Sequence, residues 1–83
     1  MTWRAADGWR QVLALEDVTQ GSPEASKNRA IREVLGITPT QYRRRLLRSI
    51  EYPDAQRAYP TLTGRLLRLR DAHRLRRWPG RIP

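Results

Sequence analysis

The chain has 83 residues and no cysteine, so it has room for one domain with a small core, and disulfide bonds or a thiolate metal site are excluded. Its net charge of +9, from 17 basic and 8 acidic residues, indicates a polyanionic partner, with nucleic acid first. No apolar run approaches the roughly 20 residues that span a bilayer, and the first residues lack the apolar region of a secretory signal, so we expect a soluble cytoplasmic protein.

Two helices are predicted in the first half of the chain. Residues 5–18 have apolar positions at helical spacing, and one side carries Trp9, Val12, Leu13 and Glu16. Gly21-Ser22-Pro23 is a turn signal, in which we expect Ser22 to cap the second helix and Pro23 to be its first residue. This helix is predicted to end at residue 35, with an apolar face of Ala30, Ile31, Val34 and Leu35.

A third helix is predicted after a sharp turn. Gly36 directly follows the last apolar residue of the second helix, which is typical of a helix-ending glycine. Thr38 is the expected N-cap, and Pro39 the first residue of a helix that reaches Ile50. Its buried stripe is predicted to be Tyr42, Leu46 and Ile50.

The last predicted helix is basic. After a short helical turn at residues 54–58, Tyr59-Pro60 begins a helix that runs to about residue 77, with Leu62, Leu66, Leu69 and His73 as its buried stripe. Gly64 is expected to allow a close approach to another helix, because glycine in a helix costs about 1 kcal/mol relative to alanine. The domain is predicted to span residues 1–78, and residues 79–83 to form a flexible tail.

Helix, tight turn and helix with an apolar joint is the layout of a helix-turn-helix unit. The joint is predicted to consist of Ile31, Leu35, Ile37, Tyr42 and Leu46. We therefore expect an all-α fold, a small helix-turn-helix domain of three main helices plus a basic C-terminal helix. The amino end of the third helix would enter the major groove of DNA, as such helices do.

The distribution of charge indicates which residues would contact DNA. Residues 1–42 hold five basic and five acidic residues, whereas residues 43–83 hold twelve arginines against three acidic residues. Gln41 and Arg44 can pair with adenine and guanine edges. The predicted base-facing residues are Thr38, Thr40, Gln41, Arg44 and Arg48. Contacts to phosphate position a protein on DNA without specifying the sequence. The residues expected to make them are Arg43, Arg45, Arg68, Arg70 and Arg74.

The run "IREVLGITPTQYRRRLLRSI" resembles the reading unit of sigma-factor region four and of LuxR-type regulators, whose pattern is matched by Ile31, Leu35, Gly36, Ile37, Thr38 and Leu46. Arg32 and Tyr42 depart from that pattern, which has alanine and valine there. Nearly the whole chain resembles a family of small actinobacterial and actinophage proteins known as a domain of unknown function, through "KNRAIREVLGITPTQYRRRLLRSI", "YPDAQRAYP" and "TLTGRLLRLRDAHRLRR". The resemblance implies an all-helical, DNA-binding-like fold.

These features favour a sequence-specific binder of double-stranded DNA, a helix-turn-helix transcription regulator of phage or host origin. A homodimer is expected, because one reading helix covers about one half-site. Two alternatives remain open. One is a protein-interaction module of the same fold, which binds host RNA polymerase or another acidic surface; the other is a nonspecific architectural DNA binder.

The last helix has three open interpretations. These are closure of the core, pairing with its copy through Leu67 and Leu75, and binding to an anionic membrane. The membrane is disfavoured, because so small a core needs the leucines.

No enzyme, cofactor or metal site is predicted, since His73 is the sole histidine and no triad or phosphate loop is visible. The tryptophans Trp3, Trp9 and Trp78 are expected to be core or lid residues.

Overall fold

A computed structural model describes the backbone of residues 2–76 and the side chains of residues 2–74. Over that range the chain is all-helical, which confirms the all-α fold class. The helices are α1 (Ala5–Thr19), α2 (Glu24–Ala30), a π-helical turn that continues α2 (Ile31–Leu35), α3 (Pro39–Ile50), α4 (Pro53–Ala58) and α5 (Pro60–Arg76). Trp78, the side chain of Leu75 and the predicted tail at residues 79–83 lie outside the described residues.

The core has two halves that share α1 and α3. The α5-side core consists of the buried residues Trp9, Leu13, Ile50, Ala55 and Leu62. The turn-side core consists of the buried residues Val12, Leu15, Ile31 and Tyr42, with Trp3, Leu35 and Ile37 packed against them. Leu46 contacts both halves, so α3 lies at the centre of the molecule. All five side chains predicted to form the interhelical joint belong to or border the turn-side core.

The turn between α2 and α3 forms as the sequence predicts. Gly36 has φ +66°, a left-handed conformation that glycine adopts without a steric penalty. Its N–H donates to the carbonyl oxygen of Arg32 at 3.0 Å, which ends the helix. α3 then begins at Pro39 and ends at Ile50, with Tyr42 and Ile50 buried and Leu46 half-buried.

Two predictions about α2 are wrong. Ser22 does not cap the helix: α2 begins at Glu24 after an extended Pro23, and the N–H of Ser22 donates to the carbonyl oxygen of Thr19 at the end of α1. Val34 was expected on the apolar face, but it is 66% exposed. The wider π-helical turn changes the angular spacing of the last residues, so that Ile31 packs into the core while Val34 faces solvent.

The predicted buried stripe of α5 is also wrong in part. Leu62 is buried and Leu66 half-buried, but Leu69 is 55% exposed and His73 is exposed. The face that packs runs instead through Leu62, Thr63, Leu66, Leu67 and Arg70. The hydroxyl of Thr63 donates to the carbonyl oxygen of Tyr59 at 2.7 Å, so a polar residue occupies a core position that a leucine pattern could not reveal.

Gly64 does not mark a close contact between helices. A methyl group at this position would meet only the flexible end of Arg68, at 3.6 Å. We therefore expect Gly64→Ala to raise the free energy of unfolding by about 0.5–1 kcal/mol through helix propensity. Urea denaturation measures this free energy. Gly36→Ala is the control and is expected to be destabilised, because the left-handed backbone at that position costs a non-glycine residue about 1–2 kcal/mol. A destabilised Gly64→Ala variant would contradict the open surroundings.

Candidate nucleic-acid interface

The first turn of α3 is fixed by a reciprocal pair of hydrogen bonds. The N–H of Gln41 donates to Oγ1 of Thr38 at 3.1 Å, and the N–H of Thr38 donates to Oε1 of Gln41 at 3.0 Å. With Pro39 at the first helical position, this capping box sets where the helix starts. The side-chain oxygen Oε1 of Gln41 thus already accepts a hydrogen bond within the protein. This hydrogen bond competes with one from a base edge to the same oxygen.

The outward side of α3 is a continuous cationic surface. Arg43, Arg44 and Arg48 are exposed, and Arg45 is half-buried. α3 contains no acidic residue, and across the described part of the chain none of these four guanidinium groups forms an ion pair. Thr38, Thr40 and Gln41 are exposed at the amino end of the same helix. We call the exposed residues Thr40, Gln41, Arg43, Arg44, Leu47 and Arg48 the α3 face.

A shallow depression of about 160 Å³ borders the α3 face. It is lined by Trp3, Gln41, Arg44, Arg45 and Arg48. The guanidinium of Arg45 lies over the indole ring of Trp3, with Cζ 5.5 Å from the ring centroid, which is within the range of a cation–π contact. The segment before α1 therefore contributes an aromatic wall to the cationic surface.

A buried carboxylate holds α3 against α1 and α2. Glu16 is 3% exposed and accepts hydrogen bonds from the hydroxyl of Tyr42 at 2.6 Å and from Nε2 of Gln20 at 2.6 Å. Nζ of Lys27 lies 2.8 Å from the same carboxylate. Because Tyr42 lies on α3 and Lys27 on α2, while Gln20 directly follows α1, this Glu16 network fixes the rotation of α3 about its axis, and with it the direction in which the α3 face points.

Tyr42 is expected to stay protonated in the folded protein. Burial, the hydrogen bond to Glu16 and the negative charge of Glu16 raise the pKa of Tyr42 above its ordinary value of about 10. The buried, protonated phenol of Tyr42 therefore contributes its full stabilisation of the fold below about pH 10, and this contribution is lost as the pH rises further. Tyrosinate absorbance measures this: wild type and Tyr42→Phe should release equal numbers of phenolic protons at any pH where both are folded. One extra phenolate in folded wild type would contradict the burial.

The arginines of α5 differ in their environment. Arg68 and Arg74 are exposed and form no ion pair with the residues whose side chains are described. Arg70 is half-buried: its Nη1 lies 2.6 Å from Oε2 of Glu51, and its Nη2 lies 3.4 Å from Oδ1 of Asp71. Arg70 therefore ties α5 to the end of α3 and, unlike Arg68 and Arg74, already has anionic partners.

A model of a protein family matches residues 6–78 of the chain. Its description is a protein of unknown function, DUF3263. The chain belongs to the DUF3263 family. Comparison with curated proteins and with solved structures gave no significant match. The matched range includes α2 to α5 completely and α1 except for its first residue, and the family description assigns no activity.

Two residues of this DUF3263 chain were not predicted as site residues. Trp3 was expected in the core or as a lid, and its apolar type gave no sign that it would line the arginine depression. Leu47 was not singled out, yet it is 39% exposed among the arginines of α3.

Within residues 2–74, no group of three or more metal-ligating side chains lies close enough together to hold an ion. None of the described helices has the length and hydropathy to span a membrane.

Proposed function

We propose that the protein binds double-stranded DNA through the α3 face, and that α2, the turn at Gly36 and α3 act as a helix-turn-helix unit. One observation carries the proposal: α3 presents four arginines without an acidic neighbour on the helix, and no ion pair within the described residues satisfies them. Guanidinium groups that lack a carboxylate within the protein suit a polyanion, and phosphate and guanine both accept bidentate contacts from arginine.

The dimensions of α3 suit the major groove. Its 12 residues give a length of about 18 Å, and the groove is about 12 Å wide, enough to admit one helix. Arg44 has the best position to read a base, because it lies on the side of α3 opposite the packed residues Tyr42, Leu46 and Ile50 and is nearer the amino end than Arg48. Gln41 is the weaker candidate because its oxygen caps the helix. Leu47 and Thr40 supply apolar groups suited to thymine methyls.

The remaining arginines would position the protein on the backbone. The proposed phosphate ligands are Arg43, Arg45, Arg48, Arg68 and Arg74. Arg70 is not among them, because Glu51 and Asp71 hold its guanidinium. One reading helix covers about one half-site, so we propose that the protein acts as a dimeric, sequence-specific transcription regulator.

A second candidate function is binding to an acidic protein surface, such as that of RNA polymerase. The observation in its favour is the pair of exposed apolar side chains, Leu47 on α3 and Leu69 on α5, each on a helix rich in arginine. Isolated exposed leucines are common on protein surfaces, so this observation is weaker than the charge pattern of α3.

A salt titration on random and selected duplexes tests the proposal. For each phosphate that the protein neutralises, the slope of log K against log salt changes by about 0.9. A steep slope together with a preferred sequence supports a regulator, and a steep slope without any preference supports an architectural DNA binder. Absence of DNA binding at about 100 mM salt, with an acidic protein partner bound instead, would refute the proposal and support the second candidate.

A further inference from the structure

We propose that the depression between Trp3 and α3 holds one phosphate group of the DNA backbone, with Arg45 and Arg48 as donors and Trp3 as the wall that orients Arg45. The inference rests on the proposed function, and it assigns a role to the segment that precedes α1. It also makes one turn of α3 serve two tasks, since Arg44 faces the bases while Arg45 and Arg48 hold the adjoining strand.

Trp3 is seated firmly enough to act as a wall. Its ring packs against the turn-side core and lies so close to Gly8 that a Cβ at that position would overlap the indole nitrogen. Glycine at position 8 of α1 therefore has a specific explanation, because any other residue would push the ring away from α1. The indole is thus held by contacts of its own, independent of any ligand.

Arg45 is oriented but has free donors. Its guanidinium is stacked on Trp3 and its side chain is half-buried, so fewer conformations remain to be lost on binding. Within the described residues, its side-chain nitrogens make neither a hydrogen bond nor an ion pair. A half-buried arginine with five unused donors beside a depression is suited to an anion, and Arg48, one turn further along α3, lines the same depression.

A phosphodiester is the anion that fits this surface best. The depression has no carboxylate in its lining, is open to solvent beside the α3 face, and has room for several water molecules at about 30 Å³ each. Its aromatic wall suits the apolar edge of a sugar, and its arginines suit phosphate oxygens. Arg44 lines the same depression, but it is exposed and is proposed to contact a base edge in the major groove.

The inference is tested by replacing single phosphates of a bound duplex with uncharged methylphosphonate. Arg45→Ala is expected to weaken binding equally on every sequence and to reduce the salt slope by about one. At one phosphate position, methylphosphonate should weaken wild type but have no further effect on Arg45→Ala. Arg57→Ala is the matched control, because it removes the same charge from an exposed arginine that pairs with Asp54 in α4.

Gly8→Ala is the second variant, because it displaces the Trp3 ring without removing it, while alanine favours helix formation in α1. It is expected to raise Kd by the same factor on every duplex, while circular dichroism shows that the helices remain folded at the temperature of the binding assay. If Arg44→Ala impairs DNA binding but Arg45→Ala and Gly8→Ala behave like Arg57→Ala, the phosphate site is refuted and the proposed function stands. If wild type binds no duplex, both are refuted.

Discussion

Replacing Glu16 by alanine is expected to lower the free energy of unfolding by about 3 kcal/mol. Removal of one partner from a buried ion pair costs about 3–5 kcal/mol, and the lower end applies because Lys27 is 26% exposed and can turn toward water. The hydroxyl of Tyr42 would retain only its long contact, 3.4 Å, to the carbonyl oxygen of Val12. Such a loss is a large share of the stability of a small domain, so denaturant unfolding would detect it readily.

Asp17→Ala is the matched control for this prediction. It removes one negative charge from the neighbouring position of α1, but Asp17 is exposed and forms no ion pair with the described residues. Its effect should remain within about 0.5 kcal/mol. Equal destabilisation by the two substitutions would mean that the net charge of α1, rather than the Glu16 network, determines stability.

Arg44→Ala is expected to have the largest effect on DNA binding. Loss of a bidentate contact to a base costs about 1–3 kcal/mol, or roughly 5- to 150-fold in Kd, and relaxes the preference at one base position. The fold should not change, because the Arg44 side chain is exposed and makes no hydrogen bond or ion pair with the described residues. Selection of bound duplexes from a random pool, followed by titration of the preferred and randomised sites, measures both effects.

Arg43→Ala provides the comparison within α3. It removes the same charge from the adjacent position. Because Arg43 is proposed to bind phosphate, the substitution should weaken binding to all sequences alike. Arg57→Ala controls for net charge, as in the phosphate test. If Arg43→Ala and Arg44→Ala change every probe by the same factor, the division of α3 into a base-reading and a phosphate-binding part is wrong.

Local signals made the centre of the fold predictable from sequence. Gly36, Thr38 and Pro39 each act on the backbone within a few residues, so the turn and the start of α3 follow from their chemistry alone. The buried positions Tyr42 and Ile50 follow from helical spacing. Glu16 was placed on the buried side of α1 by the same spacing, but its bonds to Lys27 and Tyr42 were not, because these residues lie on α2 and α3, whose packing angles against α1 no local pattern encodes.

The edges of the molecule were less predictable. The packed face of α5 includes Thr63 and Arg70. Because these residues are polar, the spacing of the leucines alone predicts the wrong face for the second half of α5. Arg70 has the same residue type as its neighbours Arg68 and Arg74, and its contact with Glu51, 19 residues earlier, depends on how α5 packs against the end of α3. Trp3 is predictable as a packed residue, but its place beside Arg45 depends on the path of the chain before α1. Long-range pairs of this kind depend on tertiary geometry.

The central claim is that the α3 face contacts duplex DNA. The most direct measurement is an NMR titration of the full chain with a short duplex at about 100 mM salt, in which backbone amides and arginine Nε–H groups are followed. We predict that the largest shifts occur at Thr40, Gln41, Arg44 and Arg48, with smaller ones at Arg68 and Arg74. Shifts confined to α5, or no shifts at a DNA concentration above that of the protein, would contradict the claim.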